Sequence, residues 1–354
     1  MILNGLLLFT PISLTLAYWF RAPPLWLFAT SAVAIIPLAD GIRRATDSLA
    51  NRAGPSVGGL VTISFGSIAE LTLALFVLAT GNTATVKAQI TGSLIGTSLL
   101  ALGMAIVVGG WRREKQVFKQ ERAGLLGSLL ALSIIALTLP AFFDYTERRG
   151  SAHGDLTALD EKLSLSVSIV LILVYLANLV YTLITHRDVF ASRKSHEPPA
   201  WSLRKSLGVL IGATAVIAVE ANVIAGSLEG TAAQLGVTRL FLGVIVLAMI
   251  GNASDVISSV YFARQDRMGL VMGICVGSTV QVALLLAPAL VLISYFMGRP
   301  MNLVFSNPLE LIAIVGAVLA VNAIAADGET TWFEGVLLVA VYCLFGLAFF
   351  FATP

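Results

Sequence analysis

Two carboxylates stand in the middle of apolar stretches of this chain, at matching positions of two similar segments. Glu70 lies in GGLVTISFGSIAELTLALF, and Asp255 lies in LGVIVLAMIGNASDVISSVYF. They are 185 positions apart, and the same offset relates Gly66 to Gly251. A charged side chain in a lipid-like setting costs several kcal/mol unless it is protonated, paired or facing a cavity. The pair is therefore a candidate site for cation and proton chemistry.

Small residues next to the two acids complete a set of oxygen ligands. Gly66-Ser67 precedes Glu70, and Gly251-Asn252 precedes Asp255. Glycine lets another backbone approach closely, and the freed carbonyls of an interrupted helix can bind a cation. Carboxylates with amides, hydroxyls and carbonyls suit Ca²⁺, with Na⁺ and Mn²⁺ as weaker matches. Without the ion, mutual repulsion favours protonation of the acids, so the site could hold either a cation or protons. The alternative is that both acids only hydrogen-bond helices together.

Further polar residues recur at helical spacing after each acid. Gln89, Ser93 and Thr97 follow one another every four residues, and Ser278 and Gln281 are three apart. Each set would lie on one face of a helix and could line the cavity that holds the acids. The alternative is that they join helices, as small polar residues do in membrane bundles.

Two other acids fall within apolar segments. Glu220, close to Asn222, is a candidate for lining an access path to the site. Glu310 follows Asn307-Pro308, where a carboxylate also favours a helix N-terminus.

Composition identifies the solvent that these segments face. The 354 residues are 57% apolar and 12% charged, and the mean hydropathy is +0.91. Soluble domains carry about 25% charged residues. The chain is therefore predicted to be an all-α polytopic membrane protein, because only helices satisfy the backbone in lipid in such a sequence. The net charge of +2 gives no reason to expect a nucleic-acid partner, and two cysteines predict neither a disulfide framework nor a metal cluster.

Apolar runs of about 20 residues predict about eleven spans. We place them at 4–20, 24–40, 55–80, 83–110, 122–143, 163–185, 203–228, 240–263, 268–297, 308–326 and 331–351. The first is read as a retained helix, because it lacks the basic start and cleavage site of a signal peptide. Lys and Arg are concentrated after the even-numbered spans, which predicts a cytoplasmic N-terminus and an external C-terminus.

An odd number of spans separates the two similar segments, so the two copies are predicted to be inverted. Inverted repeats are typical of secondary transporters, with the substrate site at the repeat interface. The predicted organisation is an extra first helix at 1–22, a five-helix repeat at 23–187, a cytoplasmic linker at 188–202 and a second five-helix repeat at 203–354.

With these motifs the chain resembles the cation/H⁺ exchanger (CAX) family of Ca²⁺/H⁺ antiporters, in the Ca²⁺/cation antiporter superfamily. The family's GNAxE-type motif matches Gly66–Glu70 and Gly251–Asp255, and its following helix matches Gly92-Ser93 and Gly277-Ser278. YLANLVYTLITHRDVF, SNPLELIAI and ADGETTWFEGVLLVAVY also look like the family's later helices. The resemblance implies an eleven-helix exchanger that binds Ca²⁺ between Glu70 and Asp255 and returns protons on the same acids.

Three positions depart from the family pattern. Ser67 and Thr97 stand where Asn is usual, and Asp255 replaces the usual Glu. Asp is one methylene shorter, so the carboxylate retreats by roughly 1.5 Å. These changes bear on which ion the site prefers.

The leading interpretation is a Ca²⁺/H⁺ antiporter of a prokaryotic inner membrane, with Ca²⁺ as substrate and no resident cofactor. A Na⁺/H⁺ or K⁺/H⁺ antiporter, or a Na⁺-coupled Ca²⁺ exchanger, stays open on the same fold. An intramembrane enzyme and a channel are the weaker alternatives. No YD motif accompanies the acids, and the single GD, Gly154-Asp155, lies in a polar stretch. The expected partners are the cation, protons and lipid, and a homo-oligomer is left open.

Overall fold

The computed structural model describes residues 5–20, 22–149, 156–185, 201–305 and 307–352, and this part of the chain is almost entirely helical. The helices are α1 (Phe9–Thr15), α2 (Pro24–Phe65), α3 (Ile68–Ala79), α4 (Thr83–Ile95), α5 (Leu102–Gly110), α6 (Gln120–Arg149), α7 (Leu156–Val180), α8 (Leu203–Leu235), α9 (Arg239–Phe241), α10 (Ala248–Arg264), α11 (Met268–Gln281), α12 (Ala287–Phe296), α13 (Pro308–Ala325) and α14 (Trp332–Phe351).

Wider π-helical turns join some of these helices into continuous rods. They lie at Leu16–Phe20, Gly96–Ala101, Tyr181–Thr185, Leu242–Leu247 and Val282–Leu286. Through them α4 continues into α5, α9 into α10, and α11 into α12. Such turns are frequent at functional sites within helices.

Within the described residues, nine segments are long and apolar enough to cross a membrane. They are Pro24–Ala53, Thr83–Gly110, Ala123–Arg148, Leu156–Leu183, Leu203–Leu235, Arg239–Arg264, Met268–Phe296, Pro308–Ala325 and Trp332–Phe351. The apolar helix α3 is shorter, at 12 residues. These segments confirm the predicted all-α, multi-pass membrane fold.

The predicted loop between spans 24–40 and 55–80 is wrong, because residues 24–65 form the single 42-residue helix α2. The charges that suggested a loop are paired within the helix. Arg43 lies 3.0 Å from Asp40 and 2.9 Å from Asp47, and Arg44 lies 2.6 Å from Asp40. Pairs three and four residues apart face each other on a helix, so they stabilise it and satisfy its charges locally. The chain breaks instead at Gly66-Ser67, just before α3.

Local sequence accounts for several helix ends. Ser202, Thr238 and Asn307 accept hydrogen bonds from backbone N–H groups at the starts of α8, α9 and α13. Gly236 ends α8 with a φ of 65°, a conformation that glycine adopts without strain.

The Thr83–Gly110 rod crosses the Arg239–Arg264 rod at the centre of the bundle, and the two backbones touch at the crossing. The Thr83–Gly110 rod is the most deeply buried candidate span in the described chain. A Cβ on its Gly92 would lie 1.8 Å from the Val244 carbonyl oxygen, and a Cβ on Gly243 would lie 2.6 Å from Ala88 Cβ. Glycine at both positions therefore allows the backbones to touch.

A short two-stranded clamp joins the segments that follow α5 and precede α14. β1 (Gln116–Val117) pairs antiparallel with β2 (Glu329–Thr330). Beside it Lys115 donates a hydrogen bond to Glu329, and this ion pair raises the pKa of the lysine. The Trp111 and Trp332 rings pack edge to face, with centroids 5.9 Å apart.

The predicted linker between the two repeats falls mostly outside the described residues. Of the linker predicted at 188–202, only Trp201 and Ser202 lie within the described residues. The boundaries of the two predicted repeats, 23–187 and 203–354, therefore stay predictions.

Candidate cation-binding site

Glu70 lies in the first turn of α3, directly after the break at Gly66-Ser67, and is 4% exposed. Ser93 of α4 donates a hydrogen bond to its Oε1 atom. Asn252 Nδ2 on α10 donates in turn to Ser93 Oγ, over 2.7 Å. Because this amide occupies an acceptor position of Ser93, the serine hydroxyl directs its own proton to Glu70. The chain of bonds joins the first similar segment to the second.

Asp255 makes the matching contact in the second segment. Ser278 Oγ on α11 donates to Asp255 Oδ2 over 2.7 Å. In both copies the donor is the serine that follows the acid by 23 residues. Asp255 is half-buried, whereas Glu70 is buried, so the two acids differ in their access to solvent.

The two acids are neighbours in space. Asp255 is close enough to Glu70 to act on it electrostatically. A Cβ on Gly251 would lie 3.4 Å from Glu70 Cγ, and one on Gly96 would lie 3.8 Å from Asn252 Nδ2. The small residues of the motif therefore bring α10 against α3 and against the π-helical turn after α4.

Gln89 adds a neutral oxygen to the pair of acids. Its Nε2 atom donates to the Glu70 backbone carbonyl at 3.4 Å. Its Oε1 atom is buried and accepts no hydrogen bond within the described structure. An unsatisfied buried acceptor is costly and calls for an explanation. A bound cation would satisfy it, because amide oxygens are ligands of hard cations.

Three other predicted lining residues, Thr97, Ser67 and Gln281, lie in different parts of the fold. Thr97 shares a 2.8 Å hydrogen bond with Thr279 and donates to the Ser93 carbonyl. Ser67 lies half-buried at the break before α3, and Gln281 lies half-buried at the end of α11. Thr279 could not be selected from the sequence, because its bond to Thr97 joins two rods that only the fold brings together.

Glu220, the candidate for lining an access path, is buried in this structure, and that role stays a prediction. It has no exposed surface, and its Oε1 atom accepts a 2.6 Å hydrogen bond from Ser13. Ser13 belongs to α1, so the buried acid fastens the additional first helix to α8. Glu310, in the first turn of α13, is also buried and accepts a 3.3 Å bond from Thr91.

Two charged residues near the site were missed because they were assigned to a loop. Arg43 and Asp47 of α2 both act electrostatically on Asp255. Arg43 is part-buried between Asp40 and Asp47, and Asp47 is half-exposed. The signal was their spacing, since charges three and four residues apart are typical of a helix rather than a loop.

Among the described residues, no three His, Cys, Asp or Glu side chains form a cluster. The candidate site consists of two carboxylates with neutral oxygens around them. The carboxylates of Glu70 and Asp255, the amide oxygen of Gln89 and the hydroxyls of Ser93 and Ser278 are all hard oxygen donors. This donor set fits a transported alkaline-earth or alkali cation better than a soft metal.

Comparison with known proteins finds relatives that match this chain over nearly its full length. The family described as sodium/calcium exchanger protein matches residues 23–184 and 205–351. A Ca²⁺/H⁺ antiporter of Aphanothece halophytica is 40% identical, over 98% of this chain and 95% of its own length. The Ca²⁺/H⁺ antiporter ChaA of Bacillus subtilis is 39% identical, over 95% of this chain and 94% of its own. A crystal structure of the Ca²⁺/H⁺ antiporter protein YfkE is 35% identical, covers 99% of both chains and has a TM-score of 0.85. The chain therefore belongs to the sodium/calcium exchanger protein family.

Proposed function

We propose that this protein is a secondary active antiporter that exchanges Ca²⁺ for H⁺ across a membrane. The observation that carries the proposal is the matched pair of serine–carboxylate hydrogen bonds. Ser93 donates to Glu70 and Ser278 to Asp255, so each copy contributes one hydrogen-bonded acid to a shared site. The names of the relatives at 39–40% identity support Ca²⁺ and H⁺ as the exchanged ions.

Cation and protons would compete for the same two acids. With Ca²⁺ bound, both carboxylates are ionised and the Gln89 amide oxygen completes the ligand set. When the ion leaves, two negative charges would remain close together in a low-dielectric setting, which is costly. Protons relieve that cost, and the serine hydroxyls can rotate to suit a neutral acid or an ion. The site thus holds either species and not the bare charge, as antiport requires.

The half-buried acid is the proposed point of entry in this conformation. Asp255 is more accessible than Glu70, and Asp47 adds a half-exposed negative charge on the same side. An arriving cation would meet Asp47 and Asp255 first and reach Glu70 last. Alternating access would then come from helices sliding or rocking around the fixed centre that carries Glu70, Ser93, Asp255 and Ser278.

The proposed setting is a prokaryotic inner membrane, with the N-terminus in the cytoplasm and the C-terminus outside. The concentration of Lys and Arg after the even-numbered spans supports this orientation. The two copies would be inverted repeats at 23–187 and 203–354. Labelling single cysteines introduced at Lys119 and at Arg299 from each side of the membrane tests the orientation. Reaction of the first from outside would refute it.

The family is one of transporters, and we propose that the chain carries no enzymatic activity. Its partners would be the exchanged cation, protons and lipid. Na⁺, K⁺ and Mn²⁺ are the competing substrates, because Asp255 is shorter than the Glu that the family pattern expects and is only half-buried.

The direct test is uptake of radioactive calcium into proteoliposomes with an acidic interior. We expect uptake that depends on the pH gradient and stops when a proton ionophore collapses it. Excess Mn²⁺, Na⁺ or K⁺ is added in parallel to rank the ions. Uptake that needs a Na⁺ gradient and ignores the pH gradient would assign the protein to Na⁺-coupled exchange instead.

A further inference from the structure

A basic cavity lies where two central rods end, away from the acids. Its volume is about 640 Å³. Its walls include Val107, Val108, Trp111, Arg112, Arg113 and Arg264. Arg112 follows the end of α5, and Arg264 is the last residue of α10. The site described above uses none of these side chains.

The three arginines are not equally engaged. Arg113 donates to the Gly109 carbonyl at 2.5 Å and to the Ala263 carbonyl at 3.4 Å, and it lies 3.6 Å from Asp266. It therefore already links the ends of the two rods. Arg112 and Arg264 are exposed, and neither forms an ion pair with any residue in the described parts of the chain. Two guanidinium groups that form no ion pair in the described part of the chain thus line one cavity.

The position of the cavity points to an amphipathic ligand. Gly110 and Arg264 end two of the candidate membrane spans, so the arginines stand at the edge of the apolar layer. Val107 and Val108 extend the wall into that layer, and Trp111 is exposed beside them. Trp side chains are enriched at this depth of a membrane. Positive charge directly above an apolar wall matches a lipid with an anionic head better than a soluble anion.

We propose that this cavity binds an anionic phospholipid, with the headgroup phosphate held by Arg112 and Arg264. Guanidinium groups suit phosphate because their N–H donors match its oxygens in pairs. The acyl chains would lie along Val107, Val108 and Trp111. The lipid would bridge the rod that carries Ser93 and the rod that carries Asp255. It would thereby reinforce the link that Arg113 makes between them.

The test uses the full chain purified in detergent and titrated with phosphatidylglycerol, with phosphatidylcholine in a parallel titration. Retained lipid is counted by native mass spectrometry, and unfolding temperature is recorded on the same samples. We expect phosphatidylglycerol to be retained and to raise the unfolding temperature, and phosphatidylcholine to do neither. The double variant Arg112→Gln/Arg264→Gln should bind phosphatidylglycerol at least about tenfold more weakly.

The matched control is Lys119→Gln/Arg267→Gln, which removes the same charge from exposed residues that do not line the cavity. It should retain the lipid like the wild type. Equal loss in both double variants would overturn the proposal, because any nearby positive charge would then suffice. So would equal stabilisation by millimolar inorganic phosphate, which would identify a soluble anion as the ligand. If the first double variant fails to fold, Arg112→Gln alone is titrated, since that residue lies beyond the helix end. The readouts do not involve transport, so they are independent of the proposed exchange activity.

Discussion

The two acids of the candidate site occupy matching positions in the sequence but differ in burial and in hydrogen bonding. Glu70 is buried and supported by a chain of two hydrogen bonds, through Ser93 to Asn252. Asp255 is half-buried and receives one bond from Ser278. Water can replace a lost hydrogen bond more readily at a half-buried acid than at a buried one. Equivalent changes in the two copies should therefore have unequal effects.

Replacing the two serines tests this asymmetry. Ser93→Ala removes the donor to buried Glu70 and leaves the Asn252 amide without its acceptor, so we expect the free energy of Ca²⁺ binding to weaken by about 1–3 kcal/mol. The half-saturating Ca²⁺ concentration for proton flux should then rise by roughly tenfold or more. Ser278→Ala should raise that concentration only a few-fold. Ser128→Ala is the control, because in the described structure this hydroxyl bonds only to the Gly124 carbonyl of its own helix. Equal effects of the first two changes would contradict the asymmetry.

Gln89 provides a test that separates ion binding from structural support. Its Oε1 atom accepts no hydrogen bond within the described structure, so the folded protein gains little from it. Gln89→Leu also removes the long 3.4 Å bond from Nε2 to the Glu70 carbonyl, so it should lower the unfolding temperature only slightly, and it should weaken Ca²⁺ binding by about tenfold, a loss near 1.4 kcal/mol. Thermal unfolding and the Ca²⁺ dependence of proton flux are measured on the same preparation. A variant that unfolds earlier but keeps its Ca²⁺ dependence would mean that Gln89 only joins helices.

At the scale of elements, the site depends on rods that touch through glycine. The crossing of the Thr83–Gly110 rod with the rod that carries Asp255 has no room for a side chain at Gly92. Its counterpart by sequence, Gly277, has no atom within 4 Å of a built Cβ in the described structure. The two copies therefore have glycines at equivalent positions, but Gly92 lies against another backbone and Gly277 has space for a side chain.

The two glycines make a matched pair of variants. Gly92→Ala forces a Cβ to 1.8 Å from the Val244 carbonyl oxygen, so the rods must separate at a cost of about 2–3 kcal/mol. Gly277→Ala meets nothing, and the gain in helix propensity of up to about 1 kcal/mol should leave stability equal or slightly higher. Thermal unfolding in one detergent compares them. Similar unfolding temperatures for both variants would refute the crossing geometry.

Removing the two opposite charges on the charged face of α2 should change the apparent Ca²⁺ affinity in opposite directions. Arg43 and Asp47 both act on Asp255. Arg43→Gln removes a positive charge that repels an arriving cation, so the half-saturating Ca²⁺ concentration should fall a few-fold. Asp47→Asn should raise it by a similar factor. Both effects should shrink at high salt, because Asp47 is half-exposed and its charge is screened. The readout is the Ca²⁺ dependence of proton flux at two ionic strengths, and shifts of the same sign would exclude a charge effect.

At the scale of the whole molecule, the membrane fold and the family followed from the sequence, and both are confirmed. Apolar runs predicted the spans, and the motifs around Glu70 and Asp255 carried the family resemblance. The charges between residues 40 and 55 predict a loop, whereas the structure has the continuous helix α2 there. Its ion pairs satisfy the charges within a helix.

What the sequence could not provide were contacts between elements distant in the chain. The Asn252–Ser93 bond, the Thr97–Thr279 bond and the Ser13–Glu220 bond each join helices that only the fold brings together. No spacing within a segment encodes such a contact. Ser93 and Ser278, which the internal offset of 185 relates, were predicted only as candidates for lining the cavity, and in the structure each donates a hydrogen bond to the acid of its own copy.

Glu70 and Asp255 are proposed to carry both the cation and the protons. The most direct measurement is proton movement in proteoliposomes that contain a pH dye, after addition of Ca²⁺, for the wild type, Glu70→Gln and Asp255→Asn. Removing either charge leaves one acid to hold a divalent ion, so both variants should lose the response while retaining the wild-type fold. We predict a Ca²⁺-driven proton flux in the wild type alone. A flux that persists in either variant would contradict the account and place the exchange on other residues.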